Sequence, residues 1–383
     1  MKPKRIFIII PFIIVLFGVF WIILHNINQK YSPDINLGEI EFDLEDIFEV
    51  FIDEEIPNPS VIAEEEQSVK ETELSGWIAY WDLQNALNTY KSNIDSFQSL
   101  SPTWYYVLAD GSLALKNTAR NSELINLCST NNTKLIPTIS NSSASELSTI
   151  LNDANLLNNH VNSIVNEVNT YNYDGIDIDY ELISGFDKEA FSNFIKILAD
   201  DLHKNGKVLT IAILWKNDLD VLIENVSESR KAQDWREIGK HVDEFRIMAY
   251  NFTSAADLPG PIAPRDWIRS ILDYALENIE DDEKIVLGLP FYAYEWTDGS
   301  KGAKALVWTD IDNINDNSII LDELNSEYHE KELKYNINGT TKVIWYQDSE
   351  ATEKRIELAR TYGVNKFIFW RLGGEDPETW KLE

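Results

Sequence analysis

Between positions 174 and 181 the chain reads Asp174-Gly175-Ile176-Asp177-Ile178-Asp179-Tyr180-Glu181. Side chains alternate faces along a strand, so Asp177, Asp179 and Glu181 share one face, while Ile176, Ile178 and Tyr180 share the other. The isoleucines demand an apolar partner and the carboxylates demand a polar space. Alternate residues on a strand lie about 6.6–7 Å apart, too close for three confined like charges to stay ionised cheaply. Proton sharing follows, with at least one carboxyl pKa raised. Two other readings fit the same residues: a half-exposed acidic edge strand, or a hard cation held by the carboxylates. Acids in a row, rather than around a point, speak against the cation.

The surroundings speak against the edge strand. From Gly76 onward short β-rich runs alternate with helical patterns, the rhythm of a parallel βα architecture. The expected strands are 76–81, 103–108, 134–139, 175–180, 208–213, 245–249, 285–289 and 366–369. Phe191, Phe194, Ile195, Leu198 and Leu202 follow helical spacing, with Asp187 as N-cap and Asn205-Gly206 as the stop. Eight strands with eight connections predict an α/β fold, a (β/α)8 TIM barrel, over 76–383. An insertion between strands seven and eight is expected over about 297–345, where Asn338-Gly339 predicts a tight hairpin turn. In such barrels the working residues stand at the C-terminal strand ends. The acids would therefore climb the barrel axis to its mouth, and a raised carboxyl there is what a general acid needs near neutral pH.

The N-terminal residues obey different rules. From Ile6 to Leu24 all 19 residues are apolar or Gly/Pro, enough to span about 28 Å as a helix, the thickness of a bilayer's hydrocarbon. Lys2, Lys4 and Arg5 precede the run, which places the N-terminus in the cytoplasm and the rest outside. Residues 1–30 thus read as a single-pass membrane anchor with the following domain extracytoplasmic. A cleaved signal peptide is the alternative, although no small-residue cleavage site follows. Residues 31–75 carry 15 acids against Lys70 alone and read as a flexible acidic spacer.

Composition excludes several classes. With 33 Lys+Arg against 64 Asp+Glu, a net charge of −31, the chain is unsuited to nucleic acid. Cys128 is the sole cysteine, so no internal disulfide or cysteine-built zinc site can form, and five scattered histidines offer no metal centre. No cofactor or metal is expected, and the chain is expected to be monomeric. Cys128 itself reads as a small buried hydrophobe in a helix. Trp77, Trp81, Trp104 and Trp215 read as core aromatics, with sugar-ring binding the alternative use of such faces.

The spacing Asp174-x-x-Asp177-x-Asp179-x-Glu181 resembles the signature of glycoside hydrolase family 18, the chitinase-like barrels. The resemblance covers most of 76–383. Met248-Ala249-Tyr250-Asn251 is similar to the family's Met-x-Tyr-Asp, Leu287–Tyr292 to its seventh strand, and Phe369-Trp370 to its eighth. Pro259–Pro264, Phe291–Trp296 and Trp370–Gly374 resemble a narrower branch, the spore-coat and cell-wall peptidoglycan N-acetylglucosaminidases.

The resemblance implies hydrolysis of an N-acetylglucosamine-containing polysaccharide by a retaining, substrate-assisted route, a recognised exception to the two-carboxylate scheme. Glu181 would be the general acid/base, Asp179 would hold the acetamido N–H, and Asp177 would share a proton with Asp179. Tyr250 would hold the acetamido oxygen and Trp370 would floor the sugar. Met248, Asn251, Tyr292 and Tyr80 would complete the substrate contacts, with Asp174 and Gly175 structural. Asn251 departs from the family's Asp, and the missing charge should lower the pKa of nearby acids. A non-catalytic, lectin-like barrel is the competing reading; such relatives typically lose the acid that Glu181 supplies here.

Overall fold

The computed structural model describes residues 71–218 and 227–381. The expected anchor and all but the last residues of the expected spacer lie outside them. No described helix is long and apolar enough to cross a membrane.

Eight parallel strands close into a ring. The first, Glu73–Ile78, pairs with the second, Phe97–Pro102, and with the eighth, Lys366–Trp370. The second resumes as Tyr105–Val107, and the third is likewise split into Lys134–Leu135 and Thr138–Ser140. Gly175–Asp179, Val208–Leu214, Glu244–Met248 and Ile285–Pro290 complete the circuit. Helices follow the strands as a (β/α)8 barrel requires, among them Leu83–Ser92, Ala154–Tyr171, Lys188–His203, Arg265–Asn278 and Ser349–Thr361.

Three boundaries differ from the sequence reading, each for a physical reason. The first strand begins at Glu73, inside the expected spacer, and ends before Tyr80 and Trp81, which occupy the loop at the rim. The second strand begins at Phe97 rather than residue 103. Its inward residues Ser99 and Ser101 are buried yet polar, so the strand lacks the apolar alternation that marks one. Between strands seven and eight stands a five-stranded antiparallel sheet running from Ala293 to Tyr346. Its central hairpin turns at Asn338-Gly339, with φ of +52° and +81°, the left-handed pair such a turn demands.

The fourth strand is built as its pattern dictates. Ile176, Ile178 and Tyr180 are buried in the layer between barrel and helices. There the Tyr180 ring stacks on Phe194, 5.9 Å away in nearly parallel planes. Phe194 belongs to Lys188–His203, whose Phe191, Ile195, Leu198 and Leu202 are buried as spaced. Asp187 sits at that helix's N-cap position but accepts a hydrogen bond from Asn152 Nδ2 at 2.8 Å instead of capping. Behind the strand, Tyr180 shares a 2.6 Å hydrogen bond with His160 Nε2, and His160 Nδ1 lies 2.8 Å from the Gly111 carbonyl. Burial pushes the His160 pKa down to about 4. The ring is therefore neutral at pH 7, its Nδ1–H donates to the carbonyl, and Tyr180 donates to Nε2.

Gly175 opens the strand because a side chain cannot fit: a Cβ would lie 2.2 Å from the Val208 carbonyl of the neighbouring strand. Asp174 accepts the Leu135 N–H at 2.8 Å, joining the entrances of strands three and four. Cys128 is buried in the helix Ser122–Thr130, and burial pushes its thiol up to about 12.

Candidate active site

The inward face of the fourth strand crosses three environments as it rises. At the bottom, Asp177 is fully buried in the barrel lumen. It accepts hydrogen bonds from Trp77 Nε1 at 3.0 Å, Thr138 at 2.9 Å and Thr210 at 2.7 Å, which belong to strands one, three and five. From strand six, the Arg246 guanidinium stands 3.3 Å from the same carboxylate. Arg246 also donates to Glu244, Ser101 and Ser99. Donors from around the ring thus converge on Asp177. The charge of Asp177 reaches Asp179 above it and helps to raise its pKa.

Asp179, one step higher, has a different environment. Its Oδ1 is buried and has no hydrogen-bond partner among the described residues. Burial raises its pKa well above the usual carboxylate range, reinforced by the charges of Glu181 and Asp177 and opposed by Lys116. Glu181 stands beyond the strand's last residue and opens to solvent. Desolvation by the surrounding protein still raises its pKa above the ordinary glutamate value. A carboxyl that releases its proton less readily than an ordinary glutamate thus stands at the mouth. Tyr250, nearly buried after strand six, senses all three acids, and its hydroxyl is held well above the usual phenol pKa, chiefly by burial.

Aromatic side chains wall this cup. Trp370 closes strand eight and presents an edge contact to Trp77 at 6.4 Å and to Trp81 at 6.2 Å. Trp81, expected in the core, is 59% exposed; it projects from the rim against Tyr80, with ring centroids 4.9 Å apart. Trp77 and Trp104 are buried as expected, and partly buried Trp215 carries the Arg230 guanidinium 4.0 Å above its ring. After the adjoining strand seven, Tyr292 packs edge-on to Tyr250, and Asn251 Oδ1 accepts from Tyr292 at 2.6 Å and Tyr294 at 3.0 Å. Asn251 holds a φ of +62°, a region asparagine tolerates better than most residues. Met248, on the inward face of strand six, is buried and clusters with Trp77, Ala212 and Tyr250.

The structure therefore gathers Asp177, Asp179, Glu181, Tyr250, Trp370, Tyr80, Asn251 and Tyr292 at one end of the barrel, and leaves Asp174 and Gly175 at the strand's entrance. Sequence reading missed Arg246, Trp77, Thr138, Thr210 and Lys116. Arg246 was findable, since it precedes Met248 by two on the same inward face. A hollow of about 380 Å³ lined by Glu73, Gln98, Asp282 and Lys366 lies at the opposite end of the strands. It contains none of these groups. No cluster of metal-ligating side chains occurs among the described residues.

Comparison with known proteins places this geometry. Residues 64–375 match the family model described as glycosyl hydrolases family 18. A Bacillus subtilis protein named as a candidate sporulation-specific glycosylase, YdhD, is 27% identical over 311 residues, 79% of this chain and 70% of its own. The cortical fragment-lytic enzyme of Bacillus subtilis is 24% identical over 61% of this chain. The chain spans only 54% of that relative's length. The crystal structure of a chitinase from Chromobacterium violaceum superposes with a TM-score of 0.73 at 23% identity, covering 81% of this chain and 97% of that one.

Proposed function

Since this chain belongs to the glycosyl hydrolases of family 18, we propose that it cleaves β-1,4-linked N-acetylglucosamine polymers, with cell-wall peptidoglycan ahead of chitin. One observation carries the reading: the unpartnered Asp179 Oδ1 lies beside Glu181, whose carboxyl opens to solvent with a raised pKa. Such a pair suits a substrate that brings its own N–H donor and its own nucleophile.

In this scheme Glu181 gives its proton to the glycosidic oxygen as the C1–O bond breaks. The carbonyl oxygen of the sugar's own N-acetyl group closes onto C1, forming an oxazolinium ion. Asp179 accepts the acetamido N–H and offsets the growing positive charge, while Tyr250 donates to the acetamido oxygen. Glu181, now a carboxylate, takes a proton from water, which opens the ring with net retention. The buried floor fixes Asp177 from four strands, so the acids above it need no rearrangement of the barrel. An intact acid at position 181 disfavours a purely glycan-holding role.

The likeness to the two Bacillus relatives supports a wall glycan as substrate. Digesting purified peptidoglycan and chitin side by side tests this. Fragments bearing N-acetylglucosamine at new reducing ends are expected from peptidoglycan by mass analysis. Release of soluble products from chitin alone would reassign the substrate.

The apolar run of residues 6–24 and the basic residues before it support a membrane-held, extracytoplasmic location. On this reading the full-length chain fractionates with membranes. A mature N-terminus near residues 26–35 would contradict the anchor.

A further inference from the structure

One cation stands in the cup without a role in the scheme above. Lys116 follows the short strand Leu113–Leu115, its backbone N–H tied to the Trp104 carbonyl at 2.8 Å. Its side chain lies half-buried across the Tyr80 ring, with Nζ 4.8 Å from the centroid. Nζ donates to Ser140 Oγ at 3.2 Å, and Ser140 is the register partner of Asp179 on the adjoining strand. The ammonium is thus held at the level of Asp179, on the wall shared by Tyr80.

The protein itself uses only part of the ammonium's hydrogen-bonding capacity. An ammonium has three donors, and Ser140 takes one. Lys116 forms no ion pair among the described residues, although the domain is strongly acidic, with a net charge of −21 over 76–383. Asp179 acts on it only as a nearby charge. The ammonium's remaining donors can meet an anionic ligand in place of solvent. The aromatic ring beneath fixes the cation in place. The same acidic barrel repels an anionic polymer at long range, so a wall glycan that carries carboxylates needs a local positive contact at the site itself.

We propose that Lys116, seated on Tyr80 and Ser140, binds the carboxylate of an acidic substituent on the sugar next to the one being cleaved. This rests on the peptidoglycan reading, in which every second sugar carries a lactyl ether whose carboxyl is a free anion wherever no stem peptide is attached. Lys116 then serves to distinguish such peptide-free strands from chitin, which has no anion to offer.

The test uses peptide-free peptidoglycan strands with free lactyl carboxylates, and the same strands with those carboxyls converted to methylamides. The full-length protein should cut the free form with a kcat/KM roughly tenfold higher, the scale of one charge-assisted hydrogen bond. Lys116→Met should abolish that ratio, and Lys116→Arg should restore much of it. A lysine acting only through Asp179 would change both substrates equally and leave the ratio intact, which would overturn the proposal. Equal cutting of both forms by the unaltered protein would overturn it too. If neither strand is cut while chitin is, the peptidoglycan reading fails. Calorimetric binding of the strands to Glu181→Gln then decides this inference separately, since affinity independent of the lactyl charge refutes it.

Discussion

Replacing Glu181 by Gln should lower kcat by about 10³-fold or more on any glycan the protein cleaves, because general acid catalysis alone contributes about 10²–10⁴ and this carboxyl also returns as the base. Gln has the same shape and cannot supply the proton. Glu181 is solvent-facing and takes no part in the packed floor, so the thermal unfolding midpoint should stay within about a degree or two, as for most surface substitutions. Calorimetry should still register binding of an N-acetylglucosamine oligomer. Undiminished turnover would remove Glu181 from the chemistry and with it the proposed reaction.

A second large effect is expected beneath the acids. Arg246 is fully buried and holds Asp177, Glu244, Ser99 and Ser101 together. Arg246→Met keeps the length and apolar stem of the side chain but leaves two carboxylates facing each other's neighbourhood without a cation. Breaking a buried pair in this way costs about 3–5 kcal/mol. Urea unfolding followed by far-UV circular dichroism should show a loss of that size. Asp177 would also lose one of its four anchors, so kcat should fall even where the variant remains folded. A loss under about 1 kcal/mol would mean that Thr138, Thr210 and Trp77 hold Asp177 without help, and that the guanidinium is dispensable.

The contrast between these residues explains what could be read from the sequence. The fourth strand was legible because its two faces differ so sharply: isoleucines to the shell, acids to the lumen. The helix Lys188–His203 was legible because one wall of apolar side chains at helical spacing must pack. The second strand hid because its lumen face is Ser99 and Ser101, small hydroxyls whose partner Arg246 comes from a strand 145 residues later. No local pattern signals a polar residue that is satisfied only across a closed barrel. Tyr80 and Trp81 misled in the opposite direction. Aromatic residues favour strands, yet here the strand ends at Ile78 and both rings belong to the rim. The inserted sheet starts at Ala293, ahead of the expected boundary, because residues 293–297 pair with the strand Thr340–Tyr346 and not with the barrel.

Lys116 illustrates the same limit at the site. Nothing around it in the chain marks it as part of the cup. Its place there depends on Tyr80 from the first strand's loop and on Ser140 at the top of the third.

The pH dependence of kcat/KM, measured for the unaltered protein and for Asn251→Asp, tests most directly whether a proton on Glu181 drives the reaction. The alkaline limb marks loss of the acid, and its midpoint should lie above the ordinary glutamate range because burial disfavours the charged form. A carboxylate at 251, next to Tyr250, adds a negative neighbour. Deprotonation of Glu181 then becomes harder, and the limb should move to higher pH. An alkaline limb that is absent, or that stays in place when the charge is added, would contradict a proton held at this position.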